Sequence, residues 1–314
     1  MSIAKLHFHV TNQCTHYCRH CASNAGPQGK RELTTGDSQY IIDWASDAGA
    51  QWVELSGGEP LTLGEDLFAL IEYAQAKGLY TSLLSNGSLI DGPTARRLRE
   101  AGIGQVGVSL YGADSKTHDA FTRTPGSLAK TEQGIQQLTR SDIETIVNVV
   151  VTPFNLNELQ HLPSRLDGVA RYTFGAIVPT GRGHSLPEYT FSEEGSARVI
   201  REIDRTFAGI PHAFMLSLHP TALEDWPRYC MRPIDEVTVN HEGHVIPCCA
   251  LPADLQEQVG SARERNLEDL VFETPVFQWL IQGHQRMREA FHGPLAKHNL
   301  CQNCITMLHA LTRS

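Results

Sequence analysis

No stretch of this 314-residue sequence approaches the ~18 consecutive apolar residues that a membrane-spanning helix needs. Met1 leads directly into a strand-like run, with no basic and apolar signal region ahead of it. A protein with no membrane association and a cytoplasmic location is therefore expected. Clusters of Lys and Arg are also missing. With 26 basic against 35 acidic residues the formal charge is −9, which argues against a broad phosphate-binding footprint and so against nucleic acid as a partner. Internal repeats, coiled-coil heptads and low-complexity segments are absent too, which excludes fibrous, repetitive and disordered classes.

What stands out against this background is eight cysteines, seven of them in two sets. In a reducing compartment, clustered cysteines are more often ligands or catalytic groups than disulfide partners. Cys14, Cys18 and Cys21 follow a short apolar-alternating run, 6–10, at the spacing C-x3-C-x2-C. Soft thiolates so spaced suit an iron–sulfur cluster, zinc or Cu(I). They supply three ligands, whereas a closed structural zinc site takes four. Either His16 or His20 completes a zinc site, or one metal position stays open for a small molecule.

Strand-like runs at 6–10, 52–56, 80–85, 106–110, 145–152 and 172–178 alternate with amphipathic stretches at 35–48, 66–77, 93–101, 127–139, 157–166 and 192–207. This is the pattern of βα units around a parallel sheet. It predicts an α/β fold, a partial (β/α)6 TIM-like barrel, with its working face at the carboxyl ends of the strands. Gly57-Gly58-Glu59-Pro60 ends the second run, Ser85-Asn86-Gly87 the third and Ser109-Leu110-Tyr111-Gly112 the fourth. Two adjacent glycines let a backbone approach a ligand closely and Glu59 adds an anion, although the same tetrapeptide is also good turn chemistry.

The cysteine triplet after a first strand, followed by Gly-Gly-Glu-Pro after a second, resembles the signature of the radical S-adenosylmethionine (SAM) superfamily. The resemblance implies that Cys14, Cys18 and Cys21 hold a [4Fe–4S] cluster whose fourth iron chelates SAM. It further implies that Gly57, Gly58, Glu59 and Pro60 receive the amino group of SAM, and that Ser85, Asn86 and Ser109 hydrogen-bond its ribose or carboxylate. Arg123 is expected near that carboxylate or the substrate. His20 stands where the family usually has an aromatic residue beside the adenine. Asn148, Thr152 and residues 179–182 complete a ring of polar groups with no role assigned, and no catalytic acid or base is identified.

The βα rhythm stops near residue 212, which divides the chain into an expected barrel, 1–211, and a smaller unit, 212–314. Cys230 precedes a predicted hairpin at 237–246, then come Cys248 and Cys249, and Cys301 and Cys304 close the set. On softness alone, four thiolates suit zinc or a [4Fe–4S] cluster. The hairpin and the closing C-x2-C resemble the SPASM auxiliary-cluster domain in its shorter, single-cluster twitch form. That implies Cys230, Cys248, Cys301 and Cys304 as ligands, Cys249 as surplus, and a cluster with no open iron, suited to electron transfer.

The function so implied is reductive cleavage of SAM to a 5′-deoxyadenosyl radical that abstracts hydrogen from a substrate C–H bond. Two [4Fe–4S] clusters and SAM are the expected cofactors, with a reducing partner such as flavodoxin or ferredoxin. SPASM-like domains point to a peptide substrate in ribosomal natural-product maturation, modified oxidatively. The lack of a leader-binding module pulls towards a small molecule, with dehydrogenation of a sugar or aminocyclitol alcohol as the alternative. A zinc-binding protein without catalysis is the remaining reading, and it leaves 57–60 unexplained.

Overall fold

Side chains of alternating character build the sheet on which everything else rests. In β1 (Lys5–Thr11) Leu6, Phe8 and Val10 are buried towards the helices, while the intervening His7 and His9 face the other way. Parallel strands follow in register: β2 (Trp52–Gly57), β3 (Tyr80–Ser85), β4 (Gln105–Leu110), β5 (Glu144–Val150) and β6 (Arg171–Gly175). The computed structural model describes residues 3–178, 180–215, 236–246 and 259–274. Cys230, Cys248, Cys249, Cys301 and Cys304 lie outside the described residues.

The six expected strands are all present, and the sheet continues past both of its expected edges. β7 (His212–Phe214) adds in parallel beside β6. β8 (Glu236–Val239) adds in parallel beside β1 and turns back into β9 (Val245–Ile246), its antiparallel partner. The strand order is therefore β7-β6-β5-β4-β3-β2-β1-β8-β9. The expected division at residue 212 falls on the first residue of β7, and the hairpin expected at 237–246 is joined to the first strand of the sheet.

Helices cover the outer face: α1 (Thr35–Asp47), α2 (Glu65–Ala76), α3 (Gly92–Glu100), α4 (Ser115–Thr122), α5 (Ser127–Arg140), α6 (Leu162–Arg165), α7 (Glu193–Thr206) and α8 (Leu267–Phe272). Thr34 and Asp37 form a reciprocal capping box that starts α1. α4 has no counterpart among the expected helices; Asp114 caps it by accepting from the Lys116 N–H. The helix expected at 157–166 is instead a 3-10 turn, Leu156–His161, followed by the single turn of α6. Pro163 explains the break, because it has no N–H to continue a helical ladder and is tolerated only where a helix begins. Among the described residues no helix is long and apolar enough to cross a membrane.

Behind the strands lies one apolar core, in which Leu6, Phe8, Leu55, Leu70, Val106 and Leu138 have no exposed surface. The opposite face of β1 and β2 is polar. Lys5 pairs with Glu54 at 2.9 Å, and His7 Nε2 lies 2.6 Å from Ser56 Oγ. The Trp52 indole donates to Ser82 Oγ at 2.7 Å.

Gly134 in α5 sits directly on the turn that ends β3, where a Cβ would run into the Gly87 carbonyl oxygen. In an open helix Gly→Ala stabilises by ~1 kcal/mol. Here overlap with backbone reverses the sign, since overpacking costs ~1–3 kcal/mol. Gly134→Ala is expected to lower the thermal midpoint, and a midpoint at or above that of the wild type would refute this packing.

Candidate active site

The cysteine loop runs from the end of β1, and its ends are tied by mutual backbone bonds: Cys14 N–H donates to the Gly26 carbonyl at 3.0 Å, and Gly26 N–H to the Asn12 carbonyl at 3.3 Å. Cys14 and Cys18 are buried and Cys21 is half-buried, all three as free thiols. Together with Gly57, Gly58, Ser85, Asn86, Ser109 and Arg182 they line a cavity of about 280 Å³ at the carboxyl ends of the strands. Among the described residues no three His, Cys, Asp or Glu side chains come close enough to share a single metal ion. All three cysteines line this one cavity, and three thiolates fall one short of a closed four-ligand zinc site while suiting an iron–sulfur cluster with one open iron.

Three neighbours hold this loop. The first is the 57–59 backbone, whose Gly58 and Glu59 N–H groups donate to the Thr11 and Gln13 carbonyls at 2.7 Å each. Gly58 has to be glycine, because a Cβ there would collide with the Gln13 backbone. The second is the carboxyl end of α4, where the last carbonyls of a helix lack internal partners. Tyr17 N–H donates to the Thr122 carbonyl and Arg19 N–H to that of Phe121. The third is Arg182, beyond β6: its Nε donates to the Cys18 carbonyl and its Nη2 to the Ala25 carbonyl, both at 2.7 Å. Its guanidinium also stacks 4.0 Å over the Tyr17 ring.

Burial sets the electrostatics. It pushes the Cys14 thiol up to about 11, against the pull of the His16 N–H, and the Cys18 thiol up to about 12. Both are protonated near neutral pH, so any metal that binds them must displace those protons. Burial lowers His16 and His20 to about 4, helped by Lys130 and Arg182 respectively, and both imidazoles are neutral. His20 lies against the rings of Tyr111 and Phe121, with centroids 5.0 and 4.9 Å away, forming an aromatic wall beside Cys21.

Glu59 has no exposed surface. Its Oε1 accepts from Ser85 Oγ at 2.9 Å and from Leu61 N–H at 3.2 Å, and its Oε2 accepts from Asn86 N–H at 2.8 Å. Burial pushes its carboxyl up to about 7 while these three donors pull it down. It braces the end of β2 to the end of β3 and is not part of the cavity lining, nor is the buried Pro60, which opens the 3-10 turn Pro60–Leu63. Arg123 is exposed, in a left-handed backbone conformation, with its guanidinium 5.5 Å over the Tyr17 ring.

The lining also includes His7, His9, Ser56, Tyr111 and Arg182, to which the sequence reading assigned no role. A signal for the first two exists: they alternate with Leu6, Phe8 and Val10, and period 2 places both on the inner face of β1. Arg182 belongs to the stretch 179–182 expected to complete the polar ring, but its partners are more than 150 residues away in sequence, so its role could not be read from spacing.

Comparison with known proteins agrees with this geometry. The family model of the radical SAM superfamily matches residues 8–164, and that of SPASM, an iron–sulfur cluster-binding domain, matches residues 230–305. An AdoMet-dependent heme synthase of Methanosarcina barkeri is 29% identical over 95% of this chain and 89% of its own length. A mycofactocin maturase of Mycolicibacterium smegmatis is 31% identical over 57% of this chain and 45% of its own. Streptococcus suis SuiB, crystallised with S-adenosylmethionine, has a similar fold, with a TM-score of 0.74 at 16% identity over 89% of this chain and 68% of its own.

The double bridge made by Arg182 is open to test. Lys keeps the charge but cannot span two carbonyls with a planar fork. Arg182→Ala and Arg182→Lys are both expected to bind less iron per chain after anaerobic reconstitution, with Lys recovering little. Full iron loading by Arg182→Lys would show that charge alone holds the loop.

Proposed function

Because this chain belongs to the radical SAM superfamily, we propose that it uses SAM to start the oxidative modification of a substrate held over the barrel mouth, and that the substrate is a tetrapyrrole. The observation that carries the substrate class is the extent of similarity. The heme synthases align over 94–95% of this chain, through the region beyond the barrel as well as the barrel itself. The peptide expected from the sequence becomes the second reading, supported by mycofactocin maturases that are 31–32% identical over 57–58% of the chain.

In this reading Cys14, Cys18 and Cys21 hold the SAM-binding [4Fe–4S] cluster, and Cys230, Cys248, Cys301 and Cys304 an auxiliary one. When bound, the first cluster and SAM supply a 5′-deoxyadenosyl radical able to take a hydrogen atom from a substrate C–H bond. The chain's own residues bind, orient and exclude water. Gly57 and Gly58 present bare backbone to the cavity and Ser109 offers a hydroxyl at a strand end, while the Ser85 hydroxyl is held between Glu59 and the Gly87 N–H. Neutral His20, packed on Tyr111 and Phe121, forms a dry flat wall suited to an adenine ring. Glu59 fixes the strand ends relative to each other. A low-potential electron donor of the flavodoxin or ferredoxin kind completes the system.

The test is anaerobic reconstitution followed by turnover with SAM and reductant. Two cluster sites are expected to bind about eight irons per chain. With iron-loaded porphyrins bearing carboxylate side chains, 5′-deoxyadenosine is expected to form in step with porphyrin consumption, and deuterium on those side chains to appear in it. If porphyrins are inert while a peptide encoded in a neighbouring reading frame is consumed and transfers its label, the peptide reading replaces the tetrapyrrole. Zinc in place of iron at both sites would overturn the whole proposal.

A further inference from the structure

Asn86 ends β3 at the cavity wall and is almost fully enclosed, with 8% of its surface exposed. Every polar group it carries has a protein partner. Its backbone N–H donates to Glu59 Oε2 at 2.8 Å, and its carbonyl accepts from Thr131 Oγ1 at 2.9 Å. The side-chain Oδ1 accepts from the Ser88 N–H at 2.9 Å. Nδ2 donates to Thr15 Oγ1 at 3.0 Å and to Cys14 Sγ at 3.7 Å, a usual length for a sulfur acceptor.

Two features of this network decide what Asn86 can do. The orientation of the carboxamide is fixed, because a backbone N–H at Ser88 requires an oxygen opposite it and so turns Nδ2 towards Cys14. A carboxamide also has only two N–H donors, and both are occupied. None remains to donate to the SAM ribose or carboxylate, the role that the family resemblance implied.

We propose that Asn86 is a positioning residue for the cluster ligand Cys14, donating an N–H to its sulfur, and is not a SAM ligand. The inference rests on the reading that Cys14, Cys18 and Cys21 hold a cluster. An N–H aimed at a ligating thiolate offsets negative charge on the sulfur, favours the more negative, reduced cluster and raises its reduction potential. One residue thus links the Gly-Gly-Glu-Pro turn to the cysteine loop, with its backbone N–H on the acid and its side-chain N–H on the sulfur.

The experiment compares wild type, Asn86→Ala and Asn86→Asp as reconstituted holoenzymes, by potentiometric titration followed by electron paramagnetic resonance and by anaerobic SAM binding. Both variants are expected to keep SAM affinity within about twofold and to shift the cluster's midpoint to more negative potential, Asp further than Ala because it adds a charge. An unchanged midpoint with weakened SAM binding would overturn the proposal and return Asn86 to the cofactor. If a variant fails to load iron, the wild type still decides. Protein labelled with ¹⁵N-asparagine is expected to show a nitrogen hyperfine coupling to the reduced cluster, and the lack of one overturns the proposal. Wild-type protein that binds no iron at all would instead sink the cluster reading on which the inference stands.

Discussion

A loop that presents three cysteines cannot be stiffened by secondary structure of its own, yet its backbone N–H and C=O groups need partners as much as any others. In this protein those partners come from three separate parts of the sheet's working edge: the 57–59 turn, the carboxyl end of α4 and Arg182. Each satisfies groups that would otherwise be orphaned on both sides. The α4 carbonyls gain donors as the loop gains acceptors. The site is therefore a mutual closure of loops, in which the cysteine positions depend on strands far apart in sequence.

Burial has a second consequence for the same loop. With the Cys14 and Cys18 thiols pushed up to about 11 and 12, the metal-free protein holds them neutral in a dry wall, and it avoids the cost of burying unpaired thiolates. Glu59 is the exception, a buried acid with three donors arranged around it. Its geometry favours the charged form and its burial the neutral one, so the balance between them sets the charge carried behind the cavity wall.

Much of this was legible in the sequence because it is local. The strand runs alternate or are uniformly apolar, and the motifs fall at their ends, so cysteine loop, Gly-Gly-Glu-Pro and Ser-Asn-Gly meet as the βα pattern requires. What was not legible is either short or distant. α4 is eight mostly polar residues, recognisable only by its Asp114 cap. The 157–166 stretch has helical spacing, but Pro163 divides it. β7 is a strand of three residues that depends on its partner β6, and β8, expected as one arm of a hairpin, joins the sheet only through its pairing with β1. The role of Asn86 was hidden differently. Its position named it as a site residue, but its side-chain partners Thr15 and Cys14 lie about 70 positions away in sequence, out of reach of any local pattern.

The pairing of β8 with β1 bears on the order in which the protein is made. β1 and β2 can associate soon after both leave the ribosome, but the other edge of β1 stays uncovered until Glu236 emerges to meet Lys5. An uncovered edge can recruit a strand from another chain, and here that edge leads straight into the cysteine loop. During synthesis the nascent chain therefore carries its metal-ligand candidates at an open margin of the sheet.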